Sequence, residues 1–247
     1  MSRFHIMGAV LALAAWSGTY VPTASGPSNS QWQVGAAAHA GVRWTPNPDR
    51  GSASSSLSGG RRSASASACA LDEGVPDPAV TLLVPQDAIG LTTAAQPTLA
   101  WYLESQNEVE MEFMLSHPNQ AEPVYTKSMR GTSGLIEVKL PAEVSLEPDT
   151  RYRWTVFVTC NGGQNRVHAR SFVERVEAPM HTENISQMEP IEQASIYAAY
   201  GVWYDALHTL IDAYRQDKQM ITLLELRALL EQGQTDVPLE LSLAIES

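Results

Sequence analysis

The stretch that decides the fold class is Arg151-Tyr152-Arg153-Trp154-Thr155-Val156-Phe157-Val158-Thr159-Cys160. Apolar side chains occupy every second position from Tyr152 to Cys160, and Arg or Thr takes most positions between them. Alternation with a period of two is typical of a strand that packs one face on a core. Asn161-Gly162-Gly163 follows at once and favours a tight turn, because Asn and Gly tolerate positive φ. The stretch therefore predicts a hairpin whose second strand runs from about Val167 to Val176.

The same alternation marks segments before this hairpin. Val109, Met111, Phe113 and Leu115 share one face opposite Glu108, Glu110 and Glu112, and Ile136, Val138 and Leu140 alternate with Glu137 and Lys139. Shorter candidates lie at 80–84, 98–103 and 123–128. About seven short strands separated by Pro and Gly turns predict an antiparallel β-sandwich over residues 69–178. The run Leu146, Pro148, Thr150, Tyr152 and Trp154 resembles the strand entry of fibronectin type III and immunoglobulin-like domains.

After Pro179 the apolar spacing becomes helical. One helix is predicted from Pro190, a second from about Trp203 to Gln216, and a third from about Met220 to Leu230 with Gly233 as its C-cap. The region 179–234 resembles one tetratricopeptide-type hairpin in the spacing of Tyr197, Gly201, Trp203, Ala206, Leu210 and Ala213. No second copy follows at the expected period, so a helical hairpin packed against the sandwich is the alternative. Residues 235–247 are predicted to be an acidic tail.

The N-terminal residues have the pattern of an export signal. Arg3 precedes an apolar run from Ile6 to Trp16, which is too short to span a bilayer as a helix. The small residues of Thr23-Ala24-Ser25 predict a signal peptide over residues 1–25, and Ala38-His39-Ala40 is a second candidate cleavage site. An uncleaved anchor is the alternative. The predicted location is extracytoplasmic, in the periplasm or secreted, with no integral membrane segment in the mature chain.

Residues 26–68 are rich in Ser, Gly, Ala and Pro, which predicts a disordered tether. The chain has two cysteines, Cys69 and Cys160. In an oxidising compartment such a pair predicts a disulfide, and two buried thiols are the alternative.

Charge and motifs limit the possible functions. The formal net charge of −11 disfavours nucleic acid and anionic membrane as main partners. The six His residues lack the paired spacing of a metal site, and no phosphate loop or nucleophile elbow occurs. The sequence therefore predicts no catalytic residue, no metal site and no cofactor. Glu108, Glu110 and Glu112 are candidates for calcium binding or acid and base catalysis on a sugar, with solvated strand charge as the alternative.

Three aromatic residues are candidates for a ligand surface: Tyr102, Tyr125 and Phe157. Such side chains line carbohydrate or peptide grooves when they are exposed. The alternative is that they fill the second face of the sandwich.

Several motifs together resemble one known family. They are Val80-Thr81-Leu82-Leu83-Val84-Pro85 after a Cys, Gly90-Leu91-Thr92-Thr93, Gln96-Pro97-Thr98-Leu99-Ala100-Trp101-Tyr102, Tyr152-Arg153-Trp154, Val173-Glu174-Arg175-Val176 and Gly201-Val202-Trp203-Tyr204-Asp205-Ala206-Leu207. This set resembles the cyanobacterial family catalogued as domain of unknown function 928, over roughly Cys69 to Gln232. The resemblance implies an exported cyanobacterial protein and supplies no reaction.

The function predicted from these observations is a non-enzymatic extracytoplasmic binding or scaffold module. Its ligand surface is expected on the loops or at the junction of sandwich and helices, and its partner is an unknown envelope protein or glycan. A carboxylate-based hydrolase of envelope or extracellular polysaccharide is one alternative. A structural envelope component is the other.

Overall fold

Residues 41–51, 77–160, 165–178 and 184–238 are the part of the chain that the structure, a computed structural model, describes. The predicted signal peptide, Cys69 and the end of the predicted acidic tail lie outside these ranges, as does the turn at Asn161-Gly162-Gly163. None of the described helices is both long enough and apolar enough to cross a membrane.

Most of the sandwich region forms strands. They are β1 (Ala79–Leu82), β2 (Gly90–Thr92), β3 (Thr98–Glu104), β4 (Val109–Ser116), β5 (Tyr125–Gly131), β6 (Gly134–Lys139), β7 (Arg151–Cys160) and β8 (Asn165–Arg175). One sheet has the order β1-β3-β6 and the other the order β2-β8-β7-β4-β5. All neighbours are antiparallel except β2, which runs parallel to β8. The prediction of a largely antiparallel two-sheet region followed by helices is confirmed.

The alternating side chains of the predicted strands meet between the two sheets. Trp154, Val156 and Val158 of β7 are fully buried. Trp101 of β3 stacks on Phe113 of β4, with ring centroids 6.2 Å apart and planes 9° from parallel. The inner faces of the two sheets therefore form an aromatic core, as the period-two pattern predicts.

Three helices follow the strands: α1 (Pro190–Ala199), α2 (Trp203–Asp217) and α3 (Met220–Gln232). Their bounds agree with the predicted helices to within two residues. Gly233 is the C-cap of α3, but its φ of −78° does not require glycine. The requirement is space, because a Cβ at Gly233 would lie 2.2 Å from the ring of Trp203.

Helix α2 enters the core that the sheets share. Tyr204 is 1% exposed; its hydroxyl donates to the carbonyl oxygen of Phe172 at 2.9 Å and accepts from Nε1 of Trp154 at 3.0 Å. Burial raises the pKa of Tyr204 far above its usual range, so the phenol stays neutral. A Cβ at Gly90 would lie 2.5 Å from the Tyr204 ring, which explains glycine at the start of β2. One apolar core thus includes both the sandwich and the helices.

Asp205 fixes the first turn of α2 to the end of β2. Its carboxylate accepts hydrogen bonds from the hydroxyls of Thr92 and Thr93 and from the Thr93 backbone N–H at 2.9 Å. Burial raises the pKa of Asp205, although these hydrogen bonds oppose the rise. The contact holds the helices in one orientation on the sandwich.

The outer face of the three-stranded sheet carries a charged cluster that also faces α2. Glu137 of β6 pairs with Arg215, and its other oxygen lies 3.7 Å from Nδ1 of His208. His208 also lies 3.2 Å from Asp212. Proximity to Glu137 raises the pKa of His208. Burial alone would raise the pKa of Glu137, but His208 and Arg215 outweigh burial and lower it.

Residues 41–51, called the N-terminal strap below, differ from the predicted flexible tether. Val42 is 2% exposed, and the ring of Trp44 meets that of Trp203 edge-on with centroids 5.1 Å apart. Gln232 of α3 accepts from the Trp44 N–H and donates to the Val42 carbonyl, both at 2.9 Å. The side chains of Val42 and Trp44 and the two hydrogen bonds to Gln232 therefore help to dock this segment on the fold, although its mean hydropathy is low.

Candidate functional site

A cavity of about 300 Å³ lies where the sandwich, the N-terminal strap and the helices meet. Each of these parts supplies some of its wall, and we call it the junction cavity. Its lining residues are Asn47, Arg50, Leu91, Asp149, Val176, Glu177, Tyr200 and Val202. Its volume lies at the lower end of the range of small-molecule sites, roughly 300 to 1,000 Å³, and such sites often lie where structural units meet.

A buried carboxylate anchors the charged side of the cavity. Glu174 of β8 is 4% exposed, and Arg50 donates to its Oε1 at 2.6 Å while Nε of Arg151 donates to its Oε2 at 3.2 Å. Nη2 of Arg151 also donates to the Arg50 carbonyl oxygen at 2.8 Å. A buried charge needs such paired and hydrogen-bonded partners, so Glu174 fixes the position of Arg50 at the cavity wall.

Asp149 forms the opposite end of this ion-pair network. Its Oδ1 accepts from Nη1 of Arg50 at 2.7 Å, and its side chain is 64% exposed. The hydrogen bond to Asp149 raises the pKa of Arg50; burial opposes this rise and Glu174 reinforces it. Asp149 has a φ of 52°, in the left-handed region that Asp tolerates better than most residues, and its N–H donates to the Arg175 carbonyl at 2.8 Å. The strand β8 thus holds the turn that presents this carboxylate.

The third wall is the turn between α1 and α2. Tyr200 lines the cavity and is 53% exposed, which is unusual among the large hydrophobic residues of the described chain. Gly201 has a φ of 76°, and a Cβ there would lie 2.8 Å from the Thr45 carbonyl oxygen. Glycine is therefore required for the strap to pass close to this turn. Leu91 and Val202, both nearly fully buried, supply apolar lining.

Chemically, the cavity combines an exposed aromatic ring with hydrogen-bonding groups of both kinds. Asn47 and Arg50 supply donors, and Asp149 and Glu177 supply acceptors. Such a combination suits a small polar ligand that also has an apolar face. Within the described ranges, no group of three or more His, Cys, Asp or Glu side chains is placed to hold a metal ion.

The three aromatic residues predicted as a ligand surface do not lie together. Tyr102 is 5% exposed and lies in β3 of the three-stranded sheet. Tyr125 is half-buried in β5, and its ring meets the core residue Phe113 at 6.1 Å. Phe157 of β7 lies on the outer face of the other sheet, with Cζ of Arg166 4.3 Å from its ring centroid. A single groove lined by all three is therefore absent, and only Phe157 belongs to an outward surface.

Of the predicted acidic candidates, Glu110 and Glu112 lie on β4 of the five-stranded sheet, and Glu108 directly precedes that strand. Glu108 pairs with Arg130 at 3.2 Å, and Glu112 pairs with Arg166. Glu110 is exposed on β4. Two of the three carboxylates are thus engaged by arginines, Arg130 of the neighbouring strand β5 and Arg166 of β8 on the far side of β7, as solvated strand charge would be.

The predicted disulfide joins Cys160, at the end of β7, to a residue outside the described chain. Cys69 is that residue, so the bridge stays a prediction.

The residues of the junction cavity were not predicted as a site. Arg50, Asp149 and Tyr200 come from three distant parts of the chain and form no motif. The only local signal is the pair Tyr200-Gly201, a large aromatic beside a glycine at a predicted turn.

Comparison with known proteins gives a family. No curated protein matches the chain. Among solved structures, it is similar to an engineered protein determined at 1.98 Å, with 14% identity, a TM-score of 0.28, and 40% of this chain and 20% of that chain covered. It is also similar to astrotactin-2, described as a vertebrate-specific, perforin-like membrane protein involved in neuronal development, with 13% identity, a TM-score of 0.27, and 69% and 37% covered.

The chain thus spans well under two thirds of either solved chain, and likenesses at these TM-scores assign no function. The family model is the informative match, because it covers residues 57–240 and therefore most of the sequence. The predicted resemblance is confirmed: the chain belongs to the family described as Domain of Unknown Function (DUF928).

Proposed function

We propose that this protein is a non-enzymatic binding module that acts outside the cytoplasm and holds a neutral glycan segment in the junction cavity. The observation that carries the proposal is the exposed ring of Tyr200 beside the ordered pair of Arg50 and Asp149. A sugar ring has an apolar face of C–H groups, which packs on an aromatic ring, and hydroxyls around its edge. Those hydroxyls would bond to the carboxylate, amide and guanidinium groups of the wall.

Charge favours a neutral glycan over an anionic one. Of the side chains that line the cavity, Arg50 is the one cation, and Asp149 and Glu177 are both acidic. Arg50 is moreover already paired with Asp149 and Glu174. A phosphorylated or uronic acid polymer would meet a net negative wall on a negative protein, which lowers its local concentration.

The proposed location rests on the N-terminal sequence. The apolar run from Ile6 to Trp16 and the small residues before Gly26 fit an export signal. A bridge between Cys69 and Cys160 would fit the oxidising compartment that export implies. Mass spectrometry of the unreduced protein tests the bridge, and free thiols at both positions would reject it.

We also propose an immunoglobulin or fibronectin type III-like architecture for the sandwich. The division into strands β1-β3-β6 and β2-β8-β7-β4-β5 supports it. So does Tyr152 near the start of β7, whose hydroxyl accepts from the Glu147 N–H at 3.2 Å, as in the tyrosine corner of such domains. The tetratricopeptide-like nature of α1 and α2 is supported by Ala198 and Ala206, which are fully buried, because small residues let two helices approach closely.

Binding to neutral polysaccharides of the cell envelope, measured on a glycan array and then by calorimetry, tests the function. Tyr200→Ala is expected to reduce affinity at least tenfold, because the stacking surface is removed. Phe157→Ala is the matched control, since it removes an aromatic side chain from the outer sheet face.

Each result decides between candidate functions. Loss of binding in Phe157→Ala and not in Tyr200→Ala would place the site on the sheet, and absence of binding by the wild type would overturn the proposal. Release of reducing sugar by the wild type, abolished by Glu110→Gln, would favour the hydrolase instead.

A further inference from the structure

The outward side chains of β7 and β8 carry a concentration of positive charge. Trp154 and the alternate residues of β7 are buried between the sheets, so the residues between them point away from the core. On the two strands the outward residues include one carboxylate, Glu174, and four arginines: Arg151, Arg153, Arg166 and Arg170. The chain as a whole has a formal net charge of −11, so this surface, called the arginine face below, has the opposite sign.

The arginines at the two ends of the arginine face are already paired with carboxylates. Arg151 donates to Glu174 at 3.2 Å, and at the other end Arg166 pairs with Glu112 of β4. Arg166 also lies over the ring of Phe157, with its Cζ 4.3 Å from the ring centroid. These two side chains therefore have defined positions and little charge to offer a ligand.

The two arginines between these ends are unpaired. Neither Arg153 nor Arg170 has an ion-pair partner among the residues that the structure describes. Arg153 is opposite Phe172 in the register of β7 and β8, so Arg170 is its diagonal neighbour, at about 7 to 8 Å between backbones. Two long side chains at this separation can bond to the same anion or to neighbouring anions.

The surroundings of this pair make a missing counter-charge costly. Arg170 is half-buried, and Thr155, which is opposite it on β7, is only 7% exposed. A partly desolvated cation without a partner raises the free energy of the fold, and a like charge on the diagonal raises it further. An anion from outside the chain would remove both costs.

The geometry of the arginine face limits what such an anion can be. Both strands are interior to their sheet, so their backbone groups are paired and offer no edge for a peptide strand. Glu110 and Glu112 of β4 border the face on one side, which leaves a positive strip two strands wide. The strip is roughly 20 Å long from Arg166 to Arg153, at about 3.3 Å per residue. A narrow strip of this kind suits a single polymer chain with charges repeated along its length.

We propose that the arginine face binds a segment of an acidic polysaccharide, with Arg153 and Arg170 bonding to its carboxylates. The planar guanidinium group matches a carboxylate with two parallel hydrogen bonds, which gives orientation as well as charge. The choice of a polysaccharide over a nucleic acid rests on the extracytoplasmic location in the proposed function. The arginine face is separate from the wall of the junction cavity, whose acidic side chains favour a neutral glycan.

Failure of this inference and failure of the proposed function are distinguishable, because the two ligands differ in charge. An acidic oligosaccharide that does not bind would overturn the present inference and leave the neutral-glycan site intact. Absence of neutral-glycan binding beside saturable binding of the acidic one would do the reverse.

Calorimetric titration of the full chain with an oligomer of galacturonic acid tests the binding. The fully methyl-esterified oligomer is the matched probe, because it keeps the sugar backbone and lacks the charge. Saturable binding of the acid that weakens with added salt is expected, and the ester should not bind. Equal binding of both oligomers, or no binding of the acid, would overturn the inference. So would equally tight binding of a single-stranded DNA of the same length, which would make the face a nucleic-acid surface.

Substitutions locate the binding on the arginine face. Arg153→Gln and Arg170→Gln should each lower the affinity by about threefold to tenfold, with the larger loss for the half-buried Arg170. Arg153→Lys should lose less than Arg153→Gln, because it keeps the charge and loses only the paired geometry. Arg227→Gln is the control, since it removes the same charge from an exposed position on α3. A loss of affinity in Arg227→Gln equal to that in the other two Gln variants would show unspecific attraction and refute the assignment.

Discussion

The hydroxyl of Tyr204 is the most informative single group to remove, because it joins α2 to two strands of the sandwich. It accepts from Nε1 of Trp154 at 3.0 Å and donates to the Phe172 carbonyl at 2.9 Å, in a fully buried setting. Tyr204→Phe keeps the ring that packs against Gly90 and removes only the hydrogen bonds of the hydroxyl, which are these two and one with the Ser171 side chain. The substitution therefore isolates the polar link between helix and sheets from apolar packing.

The expected loss of unfolding free energy follows from the hydrogen bonds that Trp154 and Phe172 lose. Each intramolecular hydrogen bond contributes about 1 kcal/mol net, and a buried donor left unpaired adds a penalty of about 1 to 3 kcal/mol. The indole N–H of Trp154 has no exposed route to water, since that residue is 0% exposed. We therefore expect Tyr204→Phe to lower the free energy of unfolding by about 2 to 4 kcal/mol.

Urea denaturation followed by tryptophan fluorescence and circular dichroism measures this loss. Both probes should report one transition with an unchanged dependence on urea, because helices and sheets share one core. Tyr200→Phe is the control, and its effect should stay within about 0.5 kcal/mol because Tyr200 is exposed. A loss below about 0.5 kcal/mol for Tyr204→Phe, or separate transitions for helices and sheets, would refute the reasoning.

Three further substitutions test other contacts. Gly233→Ala should destabilise by about 1 to 3 kcal/mol, because the added methyl group overlaps the Trp203 ring; unchanged urea midpoints would contradict this. Asp205→Ala should cost about 2 to 4 kcal/mol in the same assay, because it leaves a buried N–H and two hydroxyls without their acceptor. Glu137 raises the pKa of His208, so this pair should stabilise the fold below about pH 6.5, and that stabilisation should be lost as the pH rises through the folded-state pKa. His208→Gln should make the free energy of unfolding less dependent on pH in this range.

The free energy of unfolding should also depend on pH in the acidic range, and there it should rise with pH instead of falling. The pKa of Glu137 is lowered in the fold, so its contribution is present above its unfolded pKa and is lost as the pH falls through the folded value. Glu137→Gln should remove this acidic limb of the unfolding free energy. An acidic limb that persists unchanged in Glu137→Gln would assign it to other carboxylates.

The strands and helices were predictable because their patterns are local. Trp154, Val156 and Val158 alternate on one strand, and the helical spacing after Pro190 extends over three helices. The parallel pairing of β2 with β8 was not predictable, since the three residues of β2 are too few to show a period. The sequence left open whether Tyr102 is exposed or buried, because its burial depends on what packs outside the three-stranded sheet and not on the strand itself.

The candidate site was less predictable than the fold. Its Arg50 lies in a Ser- and Gly-rich region whose average composition favours disorder. Val42 and Trp44 nevertheless pack on the core and order the residues around Arg50. Asp149 and Tyr200 meet Arg50 only after the sandwich and helices pack together. Sites assembled from distant turns leave no spacing in the sequence, so composition and motif searches do not detect them.

The most direct test of the proposed function is a titration of the isotope-labelled protein with the neutral glycan that binds on the array, in which the backbone amide chemical shifts are followed. Shift changes are expected to be centred on Asn47, Asp149 and Tyr200, with a dissociation constant that matches calorimetry. Saturable changes centred on the strand residues around Phe157, or no saturable changes, would contradict binding in the junction cavity.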